Sequence, residues 1–356
     1  MTGRAGGLPA GVVGEVGPGF EPVAVALVEA LGLQGGSGGI QVAARHRGEW
    51  VVDLAVGSVE RSSLIHTWSA VKPLAGACLL ALVARGAVGL DQPVRELWPE
   101  LRAGADGRLL VRHVLAHAAG LSAVPPPGTL ELLLDWDATV TGLEAAQPEW
   151  APGEAVGEHA MTYGHLVGEL VRRADGRTLG RFLAEEMSGP LGLDVHVGVT
   201  DVDLPRCVDL GGMTQAWWDG RRGSAAGGWA GVVPAGDPAL VNTEAWRRAE
   251  IPAVNGQATA RGMASFWAAL LDDRLPAGVG KPGASGLDRV IGQRVTWTLA
   301  GGQLDGTDVG MGGLGGQWAC ARPAADLAWC LLTTECGEFD RVDTVEPALL
   351  ASCAAA

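Results

Sequence analysis

The segment Ser69-Ala70-Val71-Lys72 opens the stretch SAVKPLAGACLLALVARG (residues 69–86) and decides the fold. Its apolar composition and closing glycine predict a buried helix. A spacing of three residues puts the Ser69 hydroxyl and the Lys72 amine on one helix face, one turn apart. A lysine in an apolar setting loses basicity, so its amine can take a proton from a neighbouring hydroxyl. The pair therefore predicts a nucleophilic Ser69, with Lys72 as a base.

Lysine and tyrosine are rare in this chain, so those that remain are informative. Lys72 and Lys281 are the only lysines among 26 basic residues, and Tyr163 is the only tyrosine. Tyr163 lies where a glycine-bounded loop enters a predicted helix, and from there a phenol can reach a neighbouring cleft. We expect Tyr163 to be the second acid–base group. A packed tyrosine that donates a buried hydrogen bond is the alternative.

A glycine-dense segment late in the chain, GMGGLGG (residues 310–316), lies beside a predicted strand. Glycines let a substrate approach backbone N–H groups closely, as an oxyanion hole requires. A bulged strand edge explains the same pattern equally well.

Together these residues resemble the serine β-lactamase and penicillin-binding-protein-like family, and they are most similar to its class C β-lactamase-like esterases and related transacylases. The similarity runs from about residue 38 to residue 334. It includes LDQPVRELWPEL (90–101), VRHVLAHAAGLS (111–122), WAPGEAVGEHAMTYGHLVGELVRR (150–173), GRTLGRFLAEEMSGPLGLD (176–194) and NGQATARGMASFWAALL (255–271).

The resemblance implies a covalent acyl-enzyme cycle that needs no cofactor. Ser69 would attack an ester or amide carbonyl, Lys72 and Tyr163 would move protons, and the backbone N–H groups of Ser69 and Leu314 would bind the oxyanion. Two motifs depart from the family pattern. Tyr163-Gly164-His165 stands where β-lactamases have Tyr-x-Asn, and Met311-Gly312-Gly313 stands for Lys-Thr-Gly or His-x-Gly. Because methionine offers no cation to a substrate carboxylate, we expect an esterase or transacylase rather than a β-lactamase.

The expected fold is α/β (α+β), of the β-lactamase/transpeptidase type, in which both chain ends build one antiparallel sheet flanked by helices. The predicted domains are residues 1–75 with 251–356, where residues 1–20 are a flexible start, and an inserted, mostly helical region of residues 76–250. The active site is expected between them. The main predicted elements are a helix at 22–33, strands at 38–46 and 50–57, helices at 69–86, 111–117, 163–174 and 179–187, a helix within 255–273 capped by Thr259, strands near 309, 317–321 and 327–334, and a last helix at 342–354.

Composition excludes several classes of partner. A net charge of −14 repels nucleic-acid phosphates, and no apolar stretch is long enough to cross a membrane. The first twenty residues lack a signal-peptide core, which predicts a cytoplasmic protein. The six cysteines form no CxxC pair. His113 and His117 have the spacing of zinc ligands but no third ligand, so we predict no metal site.

We expect the partners to be small molecules, namely an acyl donor and, in a transfer reaction, an amine or alcohol acceptor. The predicted substrate-binding residues flank the three motifs or are tryptophans of the glycine-rich second half: Trp68, His165, Met311, Gly312, Gly313, Trp217, Trp218 and Trp318. The oligomeric state stays open, and so does the choice between Lys72 and Tyr163 as primary base.

Two alternatives to hydrolysis also stay open. One is a transacylase of a biosynthetic pathway, in which a bound amine or alcohol, instead of water, takes the acyl group. The other is a binding protein that kept the fold and lost the chemistry, an alternative that Met311 and His165 suggest. Hydrolysis of a small ester or amide is the leading hypothesis.

Overall fold

Both chain ends contribute strands to one large sheet in residues 7–223 and 232–356, the part of the chain that the computed structural model describes. The strands are β1 (Val12–Val16), β2 (Gly39–His46), β3 (Glu49–Gly57), β4 (Ile65–His66), β5 (Val195–Val197), β6 (Gly256–Ala258), β7 (Pro282–Leu287), β8 (Arg294–Thr298), β9 (Gln303–Asp305), β10 (Asp308–Gly312), β11 (Trp318–Arg322) and β12 (Leu327–Thr333). In the described residues, nine of them form an antiparallel sheet in the order β1-β3-β2-β12-β11-β10-β9-β8-β7, and β4-β6-β5 form a small second sheet.

Helices cover the large sheet and fill the middle of the chain. They are α1 (Glu21–Gly32), α2 (Lys72–Ala84), α3 (Val111–Leu115), α4 (Trp136–Ala145), α5 (Tyr163–Asp175), α6 (Leu179–Leu183), α7 (Gly189–Leu191), α8 (Gln215–Gly223), α9 (Glu244–Arg248), α10 (Ala260–Leu271) and α11 (Asp340–Ala355). None of the helices among the described residues has both the length and the apolar character needed to cross a membrane.

The alternation of side chains along β2 explains how helices cover both faces of the sheet. Ile40 and Val42 belong to the apolar core formed with α1 and α11, whereas Ala43 belongs to the core formed with α2 and α10. On that second face, Gln41 accepts a hydrogen bond from the N–H of Ala260 at 2.8 Å. The sheet therefore lies between two helical layers.

The helix that begins at Lys72 lies in the interior of the molecule. Residues 72–82 of α2 are all buried, and a 3-10 turn, Trp68–Val71, leads into the helix. Gly76 faces the backbone of Ala300, where a Cβ atom would come within 2.5 Å of the carbonyl oxygen. This close approach brings α2 against the turn between β8 and β9.

Most predicted elements are present, with some differences. The Thr259 cap is confirmed, since its hydroxyl accepts a hydrogen bond from Gly262 N–H at 3.0 Å. The flexible start is wrong for residues 12–16, which form β1 and pair with β3 because the edge of β3 offers unpaired backbone groups. Residues 1–6 lie outside the described residues. Strands β7, β8 and β9 are absent from the prediction: glycine and proline obscure the pattern of β7 and β9 has only three residues, whereas the alternation of β8 (RVTWT) is a signal that the prediction misses.

The predicted domain boundaries stay a prediction. One apolar core joins Leu74, Val167 and Phe266, which come from α2, α5 and α10. The predicted helical insertion and the sheet thus share their packing.

We predict that Gly76→Ala destabilises the protein by about 1–3 kcal/mol, because the new methyl group must push α2 away from the Ala300 backbone. Urea denaturation measures the change. The matched control is Gly220→Ala in α8, where a Cβ atom meets no atom of the described residues within 4 Å. Its helix propensity should stabilise the protein by up to about 1 kcal/mol. Equal effects of the two substitutions would contradict the close packing at Gly76.

Candidate active site

A cavity of about 430 Å³ opens where the 3-10 turn Trp68–Val71, the end of β10 and the loop before α5 meet. Ser69 and Glu158 lie in its wall. Much of the remaining wall is apolar and includes Trp68, Met161, Val254, Leu314, Trp318 and Phe339. A concave apolar site with a few polar groups is the usual setting for a small-molecule ligand.

Ser69 and Lys72 are brought together as their spacing predicts. Lys72 Nζ lies 2.6 Å from Ser69 Oγ, 3.0 Å from the carbonyl oxygen of Ala253 and 3.3 Å from Glu158 Oε1. The Lys72 side chain is fully buried. Burial lowers the pKa of Lys72, and the charge of Glu158 opposes that shift. The amine is therefore placed to take the proton of the Ser69 hydroxyl.

The backbone before Ser69 is held in an unusual conformation. Trp68 has a φ of 48°, in the left-handed region that bulky residues rarely adopt. Its ring is buried, stacks on Trp218 with the centroids 6.1 Å apart, and meets the edge of His66 at 4.7 Å. This packing stabilises the turn that presents Ser69 to the cavity.

The predicted oxyanion donors, the N–H groups of Ser69 and Leu314, belong to residues of the cavity wall. Within the described residues, neither group donates to a backbone carbonyl. The end of β10 approaches the nucleophile turn so closely that a Cβ atom on Gly313 would lie 2.5 Å from the carbonyl oxygen of Thr67. Only glycine fits there, and the oxyanion role stays a prediction.

Tyr163 is not among the described residues of the cavity wall, and its hydroxyl bonds elsewhere, which argues against the predicted proton shuttle. Its side chain is fully buried, and its hydroxyl donates to the carbonyl oxygen of Leu115 at 3.2 Å. The ring packs against His117, and a Cβ atom on Gly301 would come within 2.4 Å of its hydroxyl. Burial raises the pKa of Tyr163 above its usual value. Tyr163 is therefore a packed residue that donates a buried hydrogen bond, which is the alternative that the sequence left open. The first turn of α5 directs its side chain into the core.

Other predicted substrate-binding residues divide into two groups. Trp68, Met311, Gly312, Gly313 and Trp318 line the cavity, whereas His165, Trp217 and Trp218 are not among the described residues of its wall. His165 is fully buried and packs on the ring of Trp136. The Trp218 ring stacks on Trp68, and its indole N–H donates to the carbonyl oxygen of Pro234. The partly buried Trp217 packs beside Trp218. Trp218 thus packs against a residue of the cavity wall, whereas His165 packs against Trp136, which is not among the described wall residues.

Glu158 is the site residue that the sequence reasoning missed. It stands in the position beside Lys72 that was expected for Tyr163, and its side chain is 5% exposed. One signal could have found it, since Glu158 is the only acidic or basic residue between Glu154 and Glu169, counting histidine as neutral. Burial raises the pKa of Glu158, and the nearby Lys72 opposes the shift.

Three consecutive backbone N–H groups hold the loop that carries Glu158. Gly157 donates to the carbonyl oxygen of His117 at 3.0 Å, Glu158 to Asp288 Oδ1 at 3.2 Å, and His159 to His117 Nδ1 at 3.0 Å. The His159 ring in turn accepts from Leu121 N–H at 3.0 Å. The His117 and His159 rings therefore both bond to backbone groups around the site.

Charged residues at the cavity wall pair with one another. Arg221 bonds to Glu338, and Arg322 Nη2 lies 2.6 Å from Glu346 Oε1. The wall holds these two arginines and four carboxyl groups, those of Glu158, Glu338, Asp343 and Glu346. Carboxyl groups thus outnumber cations around the cavity.

Comparison with known proteins identifies the family of this chain. A family model described as Beta-lactamase matches residues 24–351. The chain belongs to the beta-lactamase family. The esterase/beta-lactamase LipL of Mycobacterium tuberculosis (strain ATCC 25618 / H37Rv) is 30% identical over an alignment of 255 residues, with 65% of this chain and 58% of LipL covered. The match thus spans little more than half of that relative.

Solved structures of this fold superpose over nearly the whole chain. A penicillin-binding-protein homologue from Caulobacter crescentus has a TM-score of 0.80 and 31% identity, with 96% of this chain and 99% of that one covered. A family VIII carboxylesterase has a TM-score of 0.82 and 26% identity, with the same coverage. The predicted family and fold are confirmed.

We predict that the protein loses stability between pH 7.5 and pH 5.5. Burial lowers the pKa of His66 to about 3, the pKa values of His159 and His165 to about 4, and the pKa of His117 well below its usual value. Because the unfolded chain takes up protons at about pH 6.5 and the folded chain does not, each histidine costs about 1.4 kcal/mol over this range. Urea midpoints at the two pH values measure the loss, which for these four histidines should total about 5 kcal/mol or slightly more.

The variant His165→Asn tests whether the burial of these rings is the cause. It should reduce the pH dependence by about a quarter, because one of four buried rings no longer titrates on unfolding. Urea midpoints that do not change between pH 7.5 and pH 5.5 would show that the rings are protonated in the folded protein.

Proposed function

We propose that this chain is a serine ester hydrolase that works through an acyl ester on Ser69. The observation that carries the proposal is the distance of 2.6 Å between Lys72 Nζ and Ser69 Oγ in the wall of an apolar cavity. A hydroxyl becomes a useful nucleophile when an adjacent base takes its proton, and burial favours the neutral amine that can do so. The esterase in the name of the mycobacterial relative and the carboxylesterase among the similar structures support the ester as substrate.

In the proposed acylation, Ser69 Oγ attacks the ester carbonyl while Lys72 takes the hydroxyl proton. The developing negative charge on the carbonyl oxygen is stabilised by the N–H groups of Ser69 and Leu314, a contribution of about 3–4 kcal/mol in comparable sites. The alcohol leaves, and water then attacks the acyl carbon to release the acid. Ser69 is regenerated.

The proposed substrate is a small neutral ester. Met311 lies in the wall where a cation would be needed to recognise a substrate carboxylate, and both wall arginines are engaged with carboxylates. A substrate anion would also meet Asp343, a wall carboxyl group beyond the two that bond to these arginines. Neutral esters avoid this repulsion, which is why we favour ester hydrolysis over β-lactam hydrolysis.

Acyl transfer is the second candidate. The apolar side chains of Trp68, Leu314, Trp318 and Phe339 border the cavity and disfavour bulk water near an acyl-Ser69. An amine or alcohol bound there would then compete with water for the acyl group.

We predict that Ser69→Ala lowers ester turnover by about 10³-fold or more, since the nucleophile is lost. Release of p-nitrophenol from p-nitrophenyl butyrate measures the rate. Intact-protein mass spectrometry of the unmutated protein should detect a butyryl adduct that the variant lacks. Decay of the adduct in water indicates hydrolysis, and faster decay with added amines or alcohols indicates transfer.

The control is Ser285→Ala, which removes an exposed hydroxyl bonded to Thr296. This variant should keep the full rate. Undiminished turnover by Ser69→Ala would overturn the proposal, and ligand binding with neither turnover nor an adduct would favour a non-catalytic binding protein.

We also predict that an ester with a free carboxylate, such as mono-p-nitrophenyl glutarate, reacts at least about 10-fold more slowly in kcat/KM than p-nitrophenyl butyrate. This factor corresponds to about 1.4 kcal/mol of unfavourable electrostatic energy. The variant Met311→Lys should narrow the difference by supplying a cation. A preference for the anionic ester in the unmutated protein, or rapid turnover of a chromogenic cephalosporin, would contradict the proposed substrate class.

A further inference from the structure

We propose that Glu158 is the second acid–base residue of this site, which protonates the leaving alcohol during acylation and activates water during deacylation. The inference rests on the proposed acyl-Ser69 chemistry and assigns to a carboxyl group the role that the resemblance implies for a phenol.

The first support is the position of Glu158 relative to the other reacting groups. Lys72 Nζ lies between Ser69 Oγ, at 2.6 Å, and Glu158 Oε1, at 3.3 Å. Ser69 and Glu158 both line the cavity, whereas Tyr163 donates its hydroxyl proton to the carbonyl oxygen of Leu115. A substrate bound to Ser69 therefore meets the Glu158 carboxyl group in the same cavity.

The second support is the rigidity of the Glu158 backbone. Asp288 Oδ1 accepts from Glu158 N–H at 3.2 Å, and Asp288 also accepts from Val290 N–H, Ile291 N–H and the Trp297 indole. Hydrogen bonds from Gly157 and His159 to His117 fix the loop on either side. A carboxyl group used for proton transfer must be held within hydrogen-bonding reach of its target, and this loop provides that constraint.

The third support is the electrostatic setting. The titratable groups that face Glu158 are Lys72 from α2, Asp288 from the turn after β7, and His159 and His117 from the neighbouring loops. Burial lowers the pKa of Lys72 and raises the pKa of Glu158, whereas the attraction between their charges opposes both shifts. The proposed cycle starts from the uncharged pair, in which the Lys72 amine is a base for Ser69 and the Glu158 carboxylic acid is an acid for the leaving group.

The proton balance of acylation follows from this pair. The Ser69 hydroxyl proton passes to the Lys72 amine as Oγ bonds to the acyl carbon. The bond between the acyl carbon and the alcohol oxygen breaks, and the Glu158 carboxylic acid gives its proton to that oxygen. The alcohol leaves behind a Lys72 ammonium and a Glu158 carboxylate.

Deacylation reverses these proton movements. The Glu158 carboxylate takes a proton from water as the water oxygen bonds to the acyl carbon. The ester bond to Ser69 breaks, and the Lys72 ammonium returns a proton to Oγ. The acid leaves, and the uncharged pair is restored.

The experiment measures kcat/KM, which reports acylation, for butyrate esters whose leaving alcohols range from p-nitrophenol to methanol. A good leaving group needs no proton, whereas a poor one does. In the unmutated protein, we expect kcat/KM to depend only weakly on the leaving-group pKa. In Glu158→Gln the rate should fall less than about 10-fold for the p-nitrophenyl ester and about 10² to 10⁴-fold for the methyl ester.

Two further variants separate proton transfer from a structural role. Glu158→Asp keeps the acid on a shorter side chain and should keep the shallow dependence at a reduced rate. Glu149→Gln changes a carboxyl group that bonds to Ser122 outside the cavity, and it should leave the dependence unchanged.

The outcomes distinguish this inference from the proposed function. A steep dependence of kcat/KM on the leaving-group pKa in the unmutated protein would overturn the role of Glu158, and so would an equal fall in kcat/KM for all esters in Glu158→Gln. Either result would leave acyl-Ser69 intact. Undiminished turnover in Ser69→Ala would instead overturn the chemistry on which the inference rests.

Discussion

The buried amine of Lys72 is the constraint on which the site depends. An amine without access to water must find hydrogen-bond partners in the protein, because an unpaired buried charge costs several kcal/mol. Its partners are Ser69 Oγ, the Ala253 carbonyl oxygen and Glu158 Oε1, which come from three separate parts of the chain. Glycine permits one of these approaches, since a Cβ atom on Gly164 would lie 2.2 Å from the Ala253 N atom.

Ordinary packing contacts bring these three parts of the chain together. The large sheet supports α2 on one face, and Gly76 allows α2 to lie against the Ala300 backbone. The end of β10 passes close to the nucleophile turn at Gly313, and Asp288 ties the Glu158 loop to β8 through the Trp297 indole. The cavity is the space left where these contacts converge, so the reacting groups lie in its wall and are held by the core.

What the sequence predicts well here is what local spacing determines. The Ser69–Lys72 pair and the Thr259 cap follow from residues within a single helical turn, and the apolar alternation of β2 follows from the period of a strand. Local spacing does not predict the second acid–base group. Glu158 lies in a loop without periodicity, and the position of this loop depends on His117 and Asp288, which are 41 and 130 residues away. Tyr163 is the only tyrosine, which favours it as the acid–base group from sequence alone. The first turn of α5, however, directs its side chain toward Leu115.

The most direct test of the account is a crystal structure of the protein after reaction with a p-nitrophenyl alkylphosphonate, whose phosphorus mimics the tetrahedral intermediate. The account predicts a covalent bond from Ser69 Oγ to phosphorus, and a phosphonyl oxygen within about 3.2 Å of the Ser69 and Leu314 N atoms. The Glu158 carboxyl group should face the side from which the nitrophenol departed. An unmodified Ser69, or an adduct with the phosphonyl oxygen turned away from both N–H groups, would contradict it.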